Sequence, residues 1–153
     1  MTRVGVISDT HGLLRPEAIA VLERCDRIVH AGDITDADVL NALREIAPLT
    51  IVRGNNDRGR WADEIPLSEL IEVEGVHIYV IHDIADVEID PAAAGVSVVI
   101  SGHSHRPSID RREGVLYFNP GSAGPRRFTL PIAMGELVVD GDRADPRIIR
   151  LDS

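Results

Sequence analysis

Seven polar side chains of this sequence follow short apolar runs, at the points where five predicted strands end. The set contains two carboxylates, one carboxamide and four imidazoles: Asp9, His11, Asp33, Asn55, His82, His103 and His105. Because ligands of parallel α/β sheets bind beyond the carboxyl ends of the strands, these side chains are expected to meet at one rim. A structural zinc site needs only four ligands and usually takes thiolate. The set therefore fits two divalent ions that share one carboxylate.

A site with two divalent ions is typical of in-line displacement at phosphorus, because the ions clamp both the attacking and the leaving oxygen. Within "DTH" (9–11) and "HSH" (103–105), the paired side chains are two residues apart. Both members of such a pair reach one cavity only where the backbone leaves ideal strand geometry, and glycines beside the motifs permit such turns. Each residue alone also has an ordinary interpretation as a core, surface or turn residue. Their repetition at successive strand ends favours a metal site.

The first half of the chain has a β-α-β-α-β pattern, which predicts a parallel sheet covered by helices. A helix is predicted from Pro16, because proline suits the first helical position. A second helix is predicted to begin with a capping box formed by Thr35 and Asp38 and to end at Pro48. The strands of this half are predicted at residues 3–8, 27–33 and 49–55.

The second half of the chain is predicted to be more antiparallel. Two alternating strands within residues 70–82 are joined through Glu74-Gly75, which is a hairpin signal. Further strands are predicted at residues 96–101, 115–119 and 131–140. Together the two halves predict an α/β sandwich of two sheets with helices outside.

Two other histidines are left out of the predicted site. His77 lies on the hairpin strand that leads to His82, but alternation places it on the opposite face of that strand. His30 precedes "AGD" and is expected either in the core or beside Asp33, where it would orient the carboxylate.

Composition places limits on the class of protein. The chain has 153 residues, 44 % of them hydrophobic and 27 % charged, which predicts one globular domain over residues 1–153. One cysteine, no apolar leader and no run long enough for a bilayer predict a cytoplasmic protein without a membrane partner. The formal net charge of −9 argues against an extended nucleic-acid surface. It allows a small phosphorylated substrate, because charge is screened beyond roughly 8–10 Å.

Five ordered motifs resemble the signature of the calcineurin-like metallophosphoesterases, and in particular their small bacterial and archaeal phosphodiesterase branch. The resemblance spans residues 4 to about 124, and the "NPGS" at 119–122 also recurs in that branch. It implies a four-layer α-β-β-α sandwich of two mixed sheets with a dinuclear site. One metal would be held by Asp9, His11, Asp33 and His105, and the other by Asp33, Asn55, His82 and His103, with Asp33 bridging. The motifs are "DTHG", "GD" (32–33), "GNND", the histidine at 82 and "GHSH".

This resemblance also implies an activity. The expected reaction is hydrolysis of phosphodiesters, by in-line attack of a hydroxide that bridges the two metals. Oxygen and imidazole ligands without thiolate suit manganese, iron, nickel or zinc, and the resemblance puts Mn²⁺ first. The expected partner is a small phosphorylated substrate.

The sequence departs from the family pattern at two positions. Asn56 stands where the family often has a histidine that assists the leaving group, and a carboxamide cannot donate a proton at neutral pH. A carboxamide can still hydrogen-bond a phosphate oxygen, so Asn56 is predicted to contact the phosphate. Substrates with poor leaving groups are expected to react slowly, because no side chain at this position protonates the departing oxygen. Asp83 stands where the family usually has glycine, which would either add negative charge or close the pocket.

The competing hypothesis is a non-catalytic scaffold or binding module on the same fold. The family contains such a member, the small retromer subunit, in which the metal-site set is degraded. Seven intact ligands favour the enzyme, because a buried cluster of imidazoles and carboxylates without metal is costly to desolvate. Exposed sheet edges are compatible with a homodimer or tetramer.

Overall fold

Two five-stranded sheets form the frame of the protein, described by a computed structural model over residues 1–152. The helices are α1 (Pro16–Leu22), α2 (Ala37–Ile46) and α3 (Arg60–Asp63), with a 3₁₀ turn at Ile84–Asp86. The strands are β1 (Thr2–Ile7), β2 (Arg27–His30), β3 (Leu49–Ile51), β4 (Ser68–Val73), β5 (Val76–Ile81), β6 (Val98–Ile100), β7 (Ser108–Arg112), β8 (Val115–Asn119), β9 (Ala133–Asp140) and β10 (Arg143–Arg150).

The first sheet has the order β10-β9-β1-β2-β3, and its strands β1, β2 and β3 are parallel as predicted. The second sheet has the order β4-β5-β6-β8-β7. Its hairpin β4–β5 turns at Glu74-Gly75 as predicted, but β5, β6 and β8 run parallel to one another. The expectation of a more antiparallel second half is confirmed by the pairs β4–β5, β7–β8, β9–β1 and β9–β10, while the two pairs at the centre of the second sheet are parallel. Strand β9 crosses back to pair with β1 in the first sheet.

The main core lies between the two sheets and is built from aliphatic side chains such as Val6, Val29, Ile78 and Val98. Helices α1 and α2 cover the outer face of the first sheet with their apolar stripes. On the outer face of the second sheet, Val99 is fully buried beside Tyr79 and Tyr117. The predicted α/β sandwich of two mixed sheets is confirmed. Its outer layer over the second sheet consists of the 3₁₀ turn and the chain that follows it.

Two local predictions require correction, and two strands were missed. Helix α2 is capped by Asp36, whose side chain accepts a hydrogen bond from the Asp38 backbone N, and not by Thr35. Thr35 has a φ of 61° and remains in the preceding loop. Strand β3 ends at Ile51, so the predicted strand 49–55 becomes a short strand followed by a loop. Strands β7 and β10 had not been predicted.

The described chain contains short helices only. Within residues 1–152, no helix combines the length and the apolar character that a membrane crossing requires. The longest helix, α2, has ten residues and a single buried stripe formed by Val39, Leu40 and Leu43.

Candidate metal centre

All seven predicted ligands lie on loops that follow strands, and the topology explains why these loops meet. Parallel strands place their carboxyl ends at the same edge of a sheet. Strands β1, β2 and β3 of the first sheet lead to Asp9 and His11, to Asp33 and to Asn55. Strands β5 and β6 of the second sheet lead to His82, and to His103 and His105. Each ligand follows a strand that the sequence predicted, although the strands before Asp33 and Asn55 end at His30 and Ile51, earlier than predicted.

The backbone at the centre is unusual. Asp9, His11, Asp33, His103 and His105 have φ angles of 54°, 47°, 59°, 69° and 63°, in the left-handed region. Non-glycine residues rarely adopt this region, and such strain concentrates at functional sites. The local turn lets side chains two residues apart in "DTH" and "HSH" face one space, as the spacing required. Gly102 allows the "HSH" motif to lie close to Ser8 and Asp9, because a Cβ at position 102 would collide with both side chains.

Asp9 is the central carboxylate of the cluster. Its Oδ2 accepts hydrogen bonds from Ser8 Oγ at 2.7 Å and from the His103 backbone N at 3.1 Å. Its Oδ1 faces imidazole nitrogens: Nε2 of His105 lies at 3.5 Å, of His82 at 3.9 Å and of His11 at 4.0 Å. One oxygen of Asp9 is thus held by the fold, and the other is directed at three potential co-ligands.

Asp33 supplies the second carboxylate. Its Oδ2 lies 3.3 Å from Nε2 of His82 and 3.8 Å from Nε2 of His11. The ligand atoms form two overlapping groups, Asp9–His11–His105 and Asp9–Asp33–His82, and within each group the atoms lie within 4.8 Å of one another. Asp9 is common to both groups, and the bridging role expected for Asp33 stays a prediction.

The remaining two predicted ligands lie on the outer side of the cluster. Oδ1 of Asn55 is 3.0 Å from Nε2 of His82 and 3.3 Å from Nδ1 of His103. His103 is the most exposed of the four histidines in the cluster, and its Nε2 lies 3.6 Å from Oδ2 of Asp83. Asp83 therefore faces the site and adds a negative charge beside it. All seven predicted ligands belong to one contiguous cluster.

The donor set fits divalent cations. Among residues 1–152, Asp9 Oδ1 and His11 Nε2 are buried and have no hydrogen-bond partner. A buried polar atom without a partner costs about 1–3 kcal/mol, so two such atoms facing one space call for a ligand. A divalent cation coordinated by this carboxylate oxygen and this imidazole nitrogen would give both atoms a partner.

Interactions within the cluster shift the pKa values of the two carboxylates in opposite directions. Burial opposes ionisation of Asp33, but hydrogen bonds from His82 and Asn56 hold its pKa below the ordinary value. Burial also opposes the charge on His82, yet Asp33 and Asp9 raise its pKa to about 9. Burial raises the pKa of Asp9 above its ordinary value, although Ser8 and His82 oppose this. Without metal, His82 and Asp33 form an ion pair.

Imidazole orientation is set by the backbone. Nδ1 of His82 donates a hydrogen bond to the Ala31 carbonyl oxygen at 2.7 Å, which directs Nε2 toward the site. Such a bond fixes the orientation of a ligating ring. His105 is buried, and burial together with the charge of Arg127 lowers its pKa to about 4. His105 is therefore neutral at physiological pH, as a metal ligand must be.

Asp57 organises the loops that carry Asp33 and Asn55, and sequence reasoning did not single it out. Its carboxylate accepts three backbone hydrogen bonds: from Asp33 N at 3.0 Å, from Gly54 N at 2.8 Å and from Thr35 N at 2.8 Å. The only sequence signal was its place at the end of "GNND". The third bond holds Thr35 in the loop before helix α2.

Asn119, in "NPGS", organises the loop that carries His103 and His105. Its Nδ2 donates to the Gly102 carbonyl oxygen at 2.9 Å and to Ser104 Oγ at 3.2 Å. Its Oδ1 accepts from Gly121 N at 2.9 Å. The motif was noticed in the sequence, but its role depends on contacts across 15 to 17 residues.

The histidines left out of the site have structural roles. His77 is exposed, with Nε2 3.7 Å from Glu72 Oε2, as its face predicted. His30 is fully buried, accepts from Gly32 N at 3.1 Å through Nδ1, and therefore donates through Nε2 to Thr10 Oγ1 at 3.0 Å. It positions the residues beside Asp9 and Asp33 rather than either carboxylate itself.

Fold and site together define a metallophosphoesterase-type α/β protein. The chain belongs to the calcineurin-like phosphoesterase superfamily: residues 2–142 match the family described as the calcineurin-like phosphoesterase superfamily domain. The resemblance seen in the motifs is thus confirmed. Family membership supports phosphoesterase activity with divalent metal cofactors and a phosphorylated substrate.

Individual relatives agree with this assignment. A probable metallophosphoesterase of Methanothermobacter thermautotrophicus is 39 % identical over 159 residues, covering 96 % of this chain and 91 % of the relative. A solved archaeal phosphodiesterase superposes with a TM-score of 0.81 at 26 % identity, over 97 % of this chain and 99 % of its own. Vps29 of Chaetomium thermophilum has a TM-score of 0.80 at 20 % identity, over 99 % and 97 % of the two chains, which shows a shared fold alone.

Proposed function

We propose that the protein is a metal-dependent phosphodiesterase whose site holds two divalent ions, with Mn²⁺ as the first candidate. The observation that carries this proposal is the bare Oδ1 of Asp9, buried and faced by three imidazole nitrogens. Similarity to a solved archaeal phosphodiesterase supports the choice of diesters among phosphate esters. Residues 1–153 would act as one catalytic domain in the cytoplasm.

Divalent ions would supply positive charge for the phosphate and lower the pKa of water from about 15.7 toward 7. Asp9, His11, Asp33 and His105 would hold one ion, and Asp33, Asn55, His82 and His103 the other. His82 would first lose the proton on Nε2, because only a neutral imidazole binds metal. No protein base is then required for the attacking water.

The chain's own residues would bind and orient the substrate. Asn56 lies beside Asp33 with a carboxamide that can donate to a phosphate oxygen, in addition to the bond it makes to Asp33 Oδ2. It cannot protonate a leaving group, so the departing oxygen must leave as an anion or take a proton from water. This favours diesters with acidic alcohols.

A direct test measures bound metal and turnover together. Protein purified without chelator is expected to carry metal and to hydrolyse bis(p-nitrophenyl) phosphate with added Mn²⁺. Asp9→Asn removes the carboxylate charge and replaces the oxygen that has no hydrogen-bond partner. It should lower the affinity for Mn²⁺ at least about tenfold and abolish turnover. Asp142→Asn, at an exposed carboxylate in the turn between β9 and β10, is the matched control and should behave as wild type. Turnover that survives in Asp9→Asn would contradict the proposal.

The second candidate is a non-catalytic scaffold or binding module. The same fold in Vps29 favours this reading, as does Asn56 in place of the family histidine. The exposed edge strand β7 offers a surface for self-association or for a partner chain. Fewer than one metal per chain together with no turnover would favour the scaffold.

A further inference from the structure

A cavity of about 700 Å³ lies beside the metal centre, between the outer face of the second sheet and residues 83–89. Its inner end is formed by Asn55, His82 and His103, which belong to the proposed site. A phosphate held there would direct one of its ester groups into this cavity. Pockets of 300–1,000 Å³ are of the size that binds small organic molecules.

The wall of the cavity is partly apolar. Leu67, Tyr79, Ile81 and Ile89 contribute to it, and two of these remain unusually accessible: Leu67 is 62 % exposed and Ile89 is 39 % exposed. A single exposed apolar side chain needs no explanation. Here several apolar side chains face the same concave space, so a flat organic group entering it would cover them.

The charges of the wall are mostly negative. Asp83, Asp86 and Glu88 contribute three carboxylates and Arg53 the one guanidinium among the lining residues, all of which lie in the described chain. Nη1 of Arg53 lies 3.9 Å from Asp63 Oδ1, so this guanidinium already faces a carboxylate. Within residues 1–152, the side chains of Asp86 and Glu88 make neither an ion pair nor a hydrogen bond. Beyond its inner end, the cavity therefore presents negative charge to its occupant.

We infer that this cavity binds the organic group of the substrate and selects groups that are apolar and neutral or cationic over anionic ones. The inference rests on the proposed function, because it places the phosphate at the metal centre. It predicts that the substrate carries one phosphate and no second acidic group within reach of residues 83–89. A second phosphate or a carboxylate there would face Asp86 and Glu88.

Non-hydrolysable ligands test this preference independently of turnover. Three phenylphosphonates share the phosphate-like group and the ring but differ at the para position, with a carboxylate, a hydrogen atom or an aminomethyl group. Their affinities for the Mn²⁺-loaded protein are measured by calorimetry. The carboxylated ligand is expected to bind about fivefold more weakly than phenylphosphonate, and the aminomethyl ligand at least as tightly, because two or three partly screened charges act on each substituent.

Variants assign the effect to the wall. Glu88→Gln should raise the affinity for the carboxylated ligand and lower the affinity for the aminomethyl ligand, by about twofold each. The matched control Glu45→Gln, on the exposed side of α2, should change none of the three affinities. Leu67→Ala should lower the affinities for all three phosphonates by about threefold, because an apolar contact is lost. Leu70→Ala, at a side chain 55 % exposed that does not line the cavity, should not.

The outcomes separate this inference from the function on which it rests. Equal affinities for the three phosphonates would overturn the inference and leave the proposed hydrolase intact. No binding of any phosphonate to the metal-loaded protein would overturn the inference, and turnover of bis(p-nitrophenyl) phosphate would decide the proposed function separately. Discrimination as predicted in a protein that hydrolyses no diester would support the cavity's preference while contradicting catalysis.

Discussion

Asn56 donates two hydrogen bonds to the carboxylate of Asp33, from its backbone N to Oδ1 at 2.9 Å and from Nδ2 to Oδ2 at 3.0 Å. The carboxamide therefore stabilises the ionised form of Asp33 and lowers its pKa. A position where the family often has a proton donor is here occupied by a residue that supports a proposed metal ligand. The phosphate contact expected for Asn56 stays a prediction.

Replacing Asn56 by histidine should restore a proton donor to the leaving group. In Asn56→His, the rate with poor leaving groups is expected to rise about tenfold or more, and the rate with good ones much less. The measurement is kcat/KM for a series of aryl methyl phosphates that differ only in the acidity of the phenol. Asn56→Gln, which keeps a carboxamide, is the control. An equal rate increase across the series would contradict this account of Asn56.

Removing the carboxamide of Asn119 should loosen the loop that carries His103 and His105. Asn119→Ala loses both bonds to that loop and the bond to Gly121, so Mn²⁺ affinity is expected to fall about 10- to 100-fold. Calorimetric titration of the metal-free protein measures this change. Asn41→Ala, at an exposed position of α2, should retain wild-type affinity. Wild-type Mn²⁺ binding in Asn119→Ala would show that the loop is held by other contacts.

Asp57→Asn should destabilise the whole centre. An amide has one oxygen, and its NH₂ group would face backbone donors that now bind a carboxylate. The free energy of unfolding in urea is expected to fall by about 3 kcal/mol. Asp63→Asn provides the exposed control and should change it by less than about 0.5 kcal/mol. A loss in Asp57→Asn no larger than that of the control would refute the role assigned to the three backbone bonds.

His30 should make the metal-free protein less stable in mild acid. Burial lowers its pKa from the ordinary 6.5 to about 3, so below pH 6.5 the unfolded chain binds a proton that the folded protein excludes. This contribution to stability is complete above pH 6.5 and is lost progressively as pH falls toward 3. Between pH 7.5 and pH 5 the loss amounts to about 2 kcal/mol.

Urea unfolding of the wild type and of His30→Gln at both pH values isolates this effect. The glutamine variant is expected to lose about 2 kcal/mol less than the wild type over this interval. His77→Gln, which removes an exposed histidine, should follow the wild type. The same pH dependence in His30→Gln as in the wild type would mean that another group is responsible.

Elements with a strong local pattern could be predicted from the sequence. The first parallel strands, the two main helices and the hairpin turn at Glu74-Gly75 were predicted because apolar periodicity and turn residues are properties of neighbouring residues. Strand β7 was missed because all five of its residues are exposed and no face of it is apolar. Strand β10 was missed because it carries Pro146, which is compatible with its position at the sheet edge.

The parallel pairs at the centre of the second sheet were not predicted, for a different reason. Strands β5, β6 and β8 are short and buried, and such runs have the same composition in parallel and antiparallel sheets. Their pairing depends on connections that pass outside the sheet. The residues between β6 and β8 include the exposed strand β7, which has no apolar signal to mark the crossover.

By itself, the sequence determined which donors are available and that each follows a strand. It also indicated the superfamily, because residue type, order and nearby glycines are local properties. Only the tertiary structure decided that Asp9 Oδ1 is the bare oxygen between three imidazoles, and that Asp57 and Asn119 hold the loops. Those facts depend on left-handed backbone turns and on contacts between segments that are distant in the chain. Strand order within each sheet places Asp57 and Asn119 against their loops, and packing of the two sheets brings the imidazoles of His82 and His105 to Asp9.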